Sequence, residues 1–405
     1  MKKLTFFMVV LLALPSFSAS VIKQARESLK KRQNLEQTAK SLLELAVKEE
    51  TPRKVKIECY QLAAECSQRI NDTENSKLYL KQAYDTTKYF TSMWDMTERL
   101  LLADSVGTTP DEKGRIRPVN RKRNRELLLR YRPNLLAGAN WFYRRVKNEQ
   151  AYNLFDTYIS LAKKPILAAD SLIKNDTLIP PAAYLAVTSA YQSGKFDGVI
   201  HYADLAKTAG LSNETVQELV VKAWDAKRDT ARWESALWKG VREYPRHAFF
   251  FTRLIDHLYT NGELDKCMSV IDSMLIIDHR EPLFWYAKSM VYMKQHNDHG
   301  VIAACDSCLA LDSNYVDACY NKSIATLNLA VIAAETACQD LRDPECRRQQ
   351  DAIKALYRMA MVPMERVRQL QPERTERWAA PLYRIYVNLN MGKEFGEIDD
   401  ILNKR

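Results

Sequence analysis

The sequence predicts an all-α protein, a right-handed helical solenoid of stacked helix pairs, on three observations. Its 405 residues hold only 11 glycines and 14 prolines, too little turn chemistry for a sheet-rich fold. Ala, Leu, Lys, Glu, Gln and Arg, all strong helix formers, dominate the remainder. From about Pro180 onward, apolar and small residues recur at a period of 34 residues. With 46% hydrophobic and 27% charged residues, the chain has enough apolar material to fill the cores of such an array.

The first twenty residues, "MKKLTFFMVVLLALPSFSAS", set Lys2 and Lys3 before an apolar run from Leu4 to Leu14, followed by Pro15 and the small residues Ser16, Ser18, Ala19 and Ser20. This pattern predicts a cleavable secretory signal peptide over residues 1–20, hence a periplasmic or secreted protein. The apolar run is shorter than the roughly 20 residues a spanning helix needs, and charges interrupt every later one. No cysteine follows the signal, so there is no lipoprotein acylation site.

Residues 21–106 read as an N-terminal helical region, in which "YQLAAECSQRINDTENSKLYLKQAYDTTK" alternates between two amphipathic helices. Cys59 and Cys66 fall on one face two turns apart, too far to pair with each other. Residues 107–126 read as a basic connection. The formal net charge is +10, and twelve basic residues lie between Lys113 and Lys147 against the single acid Glu126, so the basicity is local. Arg115, Arg117, Arg121, Lys122, Arg123, Arg125, Arg130 and Arg132 are candidates for contact with an anionic surface such as lipid head groups. Arginines interleaved with Tyr131 and Trp141 also suit nucleic acid, which export argues against. A solvated connector is the plain alternative.

Residues 127–405 read as the solenoid. Stepping by 34 gives Val199, Trp233, Cys267 and Val301; then Ala203, Leu237, Ile271 and Cys305; then Ala206, Gly240, Met274 and Cys308. Each series stays apolar or small, which is the signature of tetratricopeptide (TPR) repeats, where two helices pack together and onto the next pair. Four degenerate repeats cover residues 180–213, 214–247, 248–281 and 282–315. Gly194 and Gly262 mark the turn between the two helices, where Arg228 and His296 stand in the other two repeats; Pro245 closes one repeat, while His279 and Ser313 replace that proline in the next two. A fifth repeat starts at Val316 and carries an insertion at about 335–370: "CQDLRDPEC", then a long helical stretch from Arg347 to Leu370. Pro372 closes it and Trp378 opens a last helix pair.

The stretches "YRPNLLAGANWFYRRVKNEQAYNLFDTYI", "AAYLAVTSAYQSGKFDGVIHYADLA", "YPRHAFFFTRLIDHL" and "WAAPLYRIYVNLNMGKEFGEID" together resemble a group of secreted TPR proteins from Bacteroidetes. The resemblance implies an interaction scaffold of the cell envelope and carries no catalytic residues with it.

Cys305 and Cys308 form a C-x-x-C pair, but they occupy the two inward-facing small positions in the middle of a second helix. A reactive dithiol needs its first sulfur at a helix N-terminus, and a zinc site needs two further ligands, for which His299 and Cys319 are not set in a second paired spacing. Packing cysteines are expected, with no metal and no cofactor. Cys338 and Cys346 flank a short polar loop and are a disulfide candidate in an exported chain. Hydrolase, zinc-protease, phosphate-loop and dinucleotide motifs are missing, so a non-enzymatic protein is expected. First-helix positions of such repeats line the concave side, here Phe249, Asp256 and Tyr259, then Leu283, Tyr286, Met290 and Met293, then Tyr320, Ile324 and Leu327. Aromatics and methionines in a groove suit an unknown peptide or partner protein. Their packing on one another or on the inserted helix is the other expectation for the same residues.

Overall fold

The structure, a computed structural model, describes residues 18–111, 113–167, 175–338 and 342–403, and most of the expected signal segment lies outside them. All regular structure among these residues is helical. The chain divides into two compact units, one ending at Ala236 and the other beginning at Leu237. The division therefore falls inside the repeat array, and no boundary of this kind separates residues 21–106 from the rest.

The first unit begins with α1 (18–31), α2 (Leu35–Ala46), α3 (Arg53–Tyr79) and α4 (Thr86–Thr108). It continues through α5 (Arg121–Tyr143), α6 (Asn148–Leu161), α7 (Ile179–Gln192), α8 (Phe196–Lys207) and α9 (Asn213–Ala226). Neighbours in sequence pack as neighbours in space, and one core runs from Ala64, Met93 and Leu100 through Leu135, Phe142 and Phe155 to Val199 and Val216. That shared core joins the N-terminal helices to the first repeats.

The connection between them is shorter than expected and is ordered at both ends. The helix before it runs to Thr108, and α5 starts at Arg121. The Arg53 guanidinium donates to the carbonyls of Val106 (3.0 Å) and Gly107 (2.9 Å), satisfying the open C-terminal carbonyls of α4. Gly107 admits the backbone of Pro118, which would stand 3.1 Å from a Cβ there.

Helix α10 (Thr230–Glu243) spans the division. The second unit then holds α11 (Ala248–Thr260), α12 (Leu264–Ile277), α13 (Pro282–Lys294), α14 (Asp298–Leu311), α15 (Val316–Thr336), α16 (Pro344–Leu370), α17 (Thr375–Leu389) and α18 (Gly392–Asn403). The inserted helix packs along α15, where the Ser323 hydroxyl donates to the Ala360 carbonyl at 2.7 Å.

The 34-residue period is visible in the backbone. The second helices of the four repeats begin at Phe196, Thr230, Leu264 and Asp298. The turn residues Gly194, Arg228, Gly262 and His296 all have positive φ, at 72°, 56°, 75° and 57°. Each is followed by an amide that reaches back to the carbonyl five residues earlier: Lys195 to Ala190, Asp229 to Trp224, Glu263 to Leu258 and Asn297 to Tyr292, at 2.8–3.2 Å. This is the glycine-type helix stop, and Arg228 and His296 adopt it despite carrying a Cβ. The lost closing prolines have a substitute too. The carboxylates of Asp278 and Asp312 accept from the amides two residues on, Arg280 (3.0 Å) and Asn314 (2.9 Å), and so make the turn themselves.

Candidate functional site

In the second unit the first helices α11, α13 and α15 present the stripe read from the sequence. Phe249, Tyr259, Leu283, Tyr286, Met290, Met293, Tyr320 and Ile324 are half-buried, and Asp256 is exposed. Leu327 does not belong to the stripe: it is buried in a core with Ile353, Tyr357, Ala360 and Met364, because the inserted helix covers the end of α15. Tyr320 and Ile324 lean on that same core. Tyr286 and Met293 rest on Val301, Cys305, Cys308 and Ala318, and the Tyr286 ring packs 5.1 Å from that of Tyr315. The stripe is thus a half-open surface, partly filled by its own packing.

Three of its rings lie beside cations. The Arg253 guanidinium sits 4.1 Å from the Phe249 centroid, the Lys294 ammonium 5.7 Å from Tyr259, and the Arg377 guanidinium 4.8 Å from Tyr320. Arg377 also pairs with Asp317 at 2.6 Å. Burial first, then Asp317, pushes the Tyr286 phenol up to about 12, against the opposing pull of Arg377. Arg253 and Lys294 make no ion pair among the described residues. Sequence reasoning passed over these cations. Arg253 follows Phe249 by one helical turn and was within reach of a spacing argument. Lys294 and Arg377 come from later helices, and only the fold brings them in.

The basic run is dispersed. Arg132 is buried, with its Nη1 2.5 Å from Asp176 and its guanidinium 4.0 Å from the Tyr158 centroid, so it is removed from the surface set. The reason is helical register: Leu128, Arg132 and Leu135 share the face of α5 that meets the core. Arg121 pairs with Asp104 (2.9 Å) and Arg115 with Asp111 (3.1 Å), while Arg125 is half-buried. Arg117, Lys122, Arg123 and Arg130 remain exposed.

Cys305 and Cys308 are wholly buried in the α14 core, and burial pushes their thiols up to about 11 and about 12. Among the described residues neither joins His299 and Cys319 in a cluster of metal-ligating atoms. Cys338 and Cys346 form a disulfide with Cα atoms 5.3 Å apart, joining the end of α15 to the first turn of α16. Asp343 in the same loop accepts from the Glu345 amide at 2.8 Å and starts the long helix.

No family model matches the chain. Over 80 residues, 20% of this chain, it is 35% identical to Exonuclease 3′-5′ domain-containing protein 2 of Homo sapiens, and the match spans 13% of that protein. Among solved structures it is similar to the C-terminal part of a TPR repeat-containing protein of Cytophaga hutchinsonii. There the identity is 11% and the TM-score 0.41, over 65% of this chain and 92% of the other. It is also similar to a TPR repeats protein of Bacteroides fragilis, at 13% identity and a TM-score of 0.31, over 65% and 97% of the two chains. Both are TPR proteins of Bacteroidetes, the group that the sequence resembles.

Proposed function

We propose that this protein is an exported, non-catalytic interaction scaffold whose second unit holds a partner segment along the first-helix stripe. The observation that carries the reading is the alternation of half-buried rings with cations: Phe249 under Arg253, Tyr259 under Lys294 and Tyr320 under Arg377. The Arg253 guanidinium and the Lys294 ammonium keep their donors for a carboxylate, Arg377 is already held by Asp317 and Gln371, and each ring edge keeps an apolar surface. The partner is therefore a peptide or protein segment with acidic side chains set between apolar ones. Export rests on the first twenty residues and places the partner in the cell envelope or outside it.

The test compares partner recovery, after crosslinking in the native cell, by the wild type, Tyr286→Ala and Arg253→Glu, together with their melting temperatures. Tyr286→Ala should cost about 2 kcal/mol of binding. Arg253→Glu should weaken an acidic partner with little change in melting. Undiminished recovery by both moves the site elsewhere, and a melting loss without a separate binding loss makes the stripe ordinary core.

A second reading, attachment to an anionic envelope surface, draws on the exposed Arg117, Lys122, Arg123 and Arg130. Binding of that kind falls steeply with ionic strength and is untouched by Tyr286→Ala, whereas binding along the stripe is lost with Tyr286.

A further inference from the structure

The first unit carries a small polar cleft that the peptide reading does not use. It has a volume of about 230 Å³ and lies where the first turn of α5 meets α3, with Met96 and Leu100 of α4 supplying an apolar wall. Gln61 fastens the two helices here. Its amide nitrogen donates to the Val119 carbonyl (3.0 Å), and its oxygen accepts from Asn120 (3.1 Å).

The acids in the cleft are already matched, Glu58 by Arg26 (2.5 Å) and Glu65 by Arg69 (3.3 Å). What is left over is donor capacity. Asn120, Arg123, Asn124 and Leu127 form one face of α5, and all four line the cleft. Asn124 is 3% exposed, and its amide nitrogen has no acceptor. A buried donor of this kind costs free energy until something accepts from it. Arg123 makes no ion pair or hydrogen bond among the described residues. Asn120 begins the helix in a left-handed conformation with no side-chain cap, so the positive end of a 23-residue helix also bears on the cleft.

We propose that this cleft binds an oxyanion, the carboxylate or phosphate of a small molecule or a head group, which accepts from Asn124 and pairs with Arg123. A neutral ligand would leave Arg123 unmatched, and a cation would oppose both it and the helix end. Pockets for drug-sized ligands run to about 300–1,000 Å³, so the occupant is smaller than these and is no peptide.

The experiment uses the full mature chain at low ionic strength. Inorganic phosphate and succinate are titrated by calorimetry, and flotation is measured with phosphatidylcholine vesicles with and without phosphatidic acid. Saturable binding of one phosphate or succinate per chain identifies a soluble ligand, and flotation on phosphatidic acid without it identifies a head group. Either binding should fall at least tenfold in Arg123→Gln and in Asn124→Leu, and be unchanged in Arg117→Gln, whose side chain does not line the cleft. Arg123 is exposed, so its variant tests the site even if Asn124→Leu fails to fold. The proposal is overturned if no probe binds saturably, which would leave water to satisfy Asn124. It is equally overturned if binding is as strong in Arg123→Gln as in the wild type.

Discussion

Replacing Arg132 by Met should damage the first unit far more than losing one cation from a basic run would suggest. The Arg132 and Asp176 side chains are each only 9% exposed and meet at 2.5 Å. The same carboxylate oxygen accepts from the Tyr158 hydroxyl at 2.5 Å, and the other oxygen accepts from the Leu178 amide at 2.9 Å. Removing the guanidinium leaves a buried carboxylate with its hydrogen bonds but no countercharge, a change that typically costs about 3–5 kcal/mol. Arg132→Met combined with Asp176→Leu should recover most of that loss, because a packed apolar pair often replaces a buried ion pair at little net cost. Urea unfolding, read as a shift of the midpoint at constant slope, measures both variants. The acid side gives an independent reading. Burial works to raise the Asp176 carboxyl, but the bonds from Tyr158, Arg132 and Leu178 outweigh it and hold the group below its ordinary value. A depressed carboxylate contributes in full above its unfolded value of about 3.9, and the contribution is lost as pH falls through the lower folded value. Wild-type stability should therefore fall more steeply below about pH 4 than that of Asp176→Asn. A single variant within about 1 kcal/mol of wild type, or a double variant no better than the single, would refute the buried-pair account.

Cys305 and Cys308 should react slowly with a thiol reagent at pH 8, since burial holds both thiols far above that pH. Replacing both by Ala should cost about 1–3 kcal/mol without loss of partner recovery, and rapid labelling of the folded protein would contradict their assignment to the core. At the helix stops, Gly262→Ala should lose about 1–2 kcal/mol, because a Cβ is strained at positive φ. His296→Gly should instead gain up to about 1 kcal/mol in a melting experiment, and a loss there would mean that the imidazole itself is stabilising.

The period was legible because one packing problem recurs. Each second helix must offer small or apolar side chains at the same three depths, and Cys305 and Cys308 fill two of them with no exposure. The helix stops were half legible. Glycine announced two, while Arg228 and His296 give no local sign of the left-handed backbone they adopt. Leu327 has the same spacing as its half-buried counterparts Tyr259 and Met293, and only the return of α16 against α15 buries it fully. The division at Ala236 and Leu237 has no sequence mark either, because apolar Trp233 and Leu237 continue the repeat across it. A basic connection was expected over residues 107–126, and packing does not follow charge: Met93 and Leu100 before it share a core with Leu128 and Leu135 after it.

That run also shows why a count of charge along the chain overstates a surface. An α-helix turns successive residues through about 100°, so a contiguous stretch of arginines cannot all face one way. In α5 it is divided among Arg132 in the core, Arg121 on Asp104, Arg123 at the cleft and Lys122 in solvent. The exposed remainder forms no single patch by register alone, since Arg123 and Arg130 share one heptad position while Lys122 lies next to it and Arg117 precedes the helix. What concentrates recognition is instead the place where register aligns unmet groups of one kind. In the second unit these are Arg253 and Lys294, unpaired among the described residues, on the rings of Phe249 and Tyr259; in the first they are two donors one residue apart at a helix start. Charge reversal at Arg117 and Arg130 together should therefore leave partner recovery unchanged, whereas the single change Arg253→Glu should not. Equal loss from the two would return the binding role to the basic run.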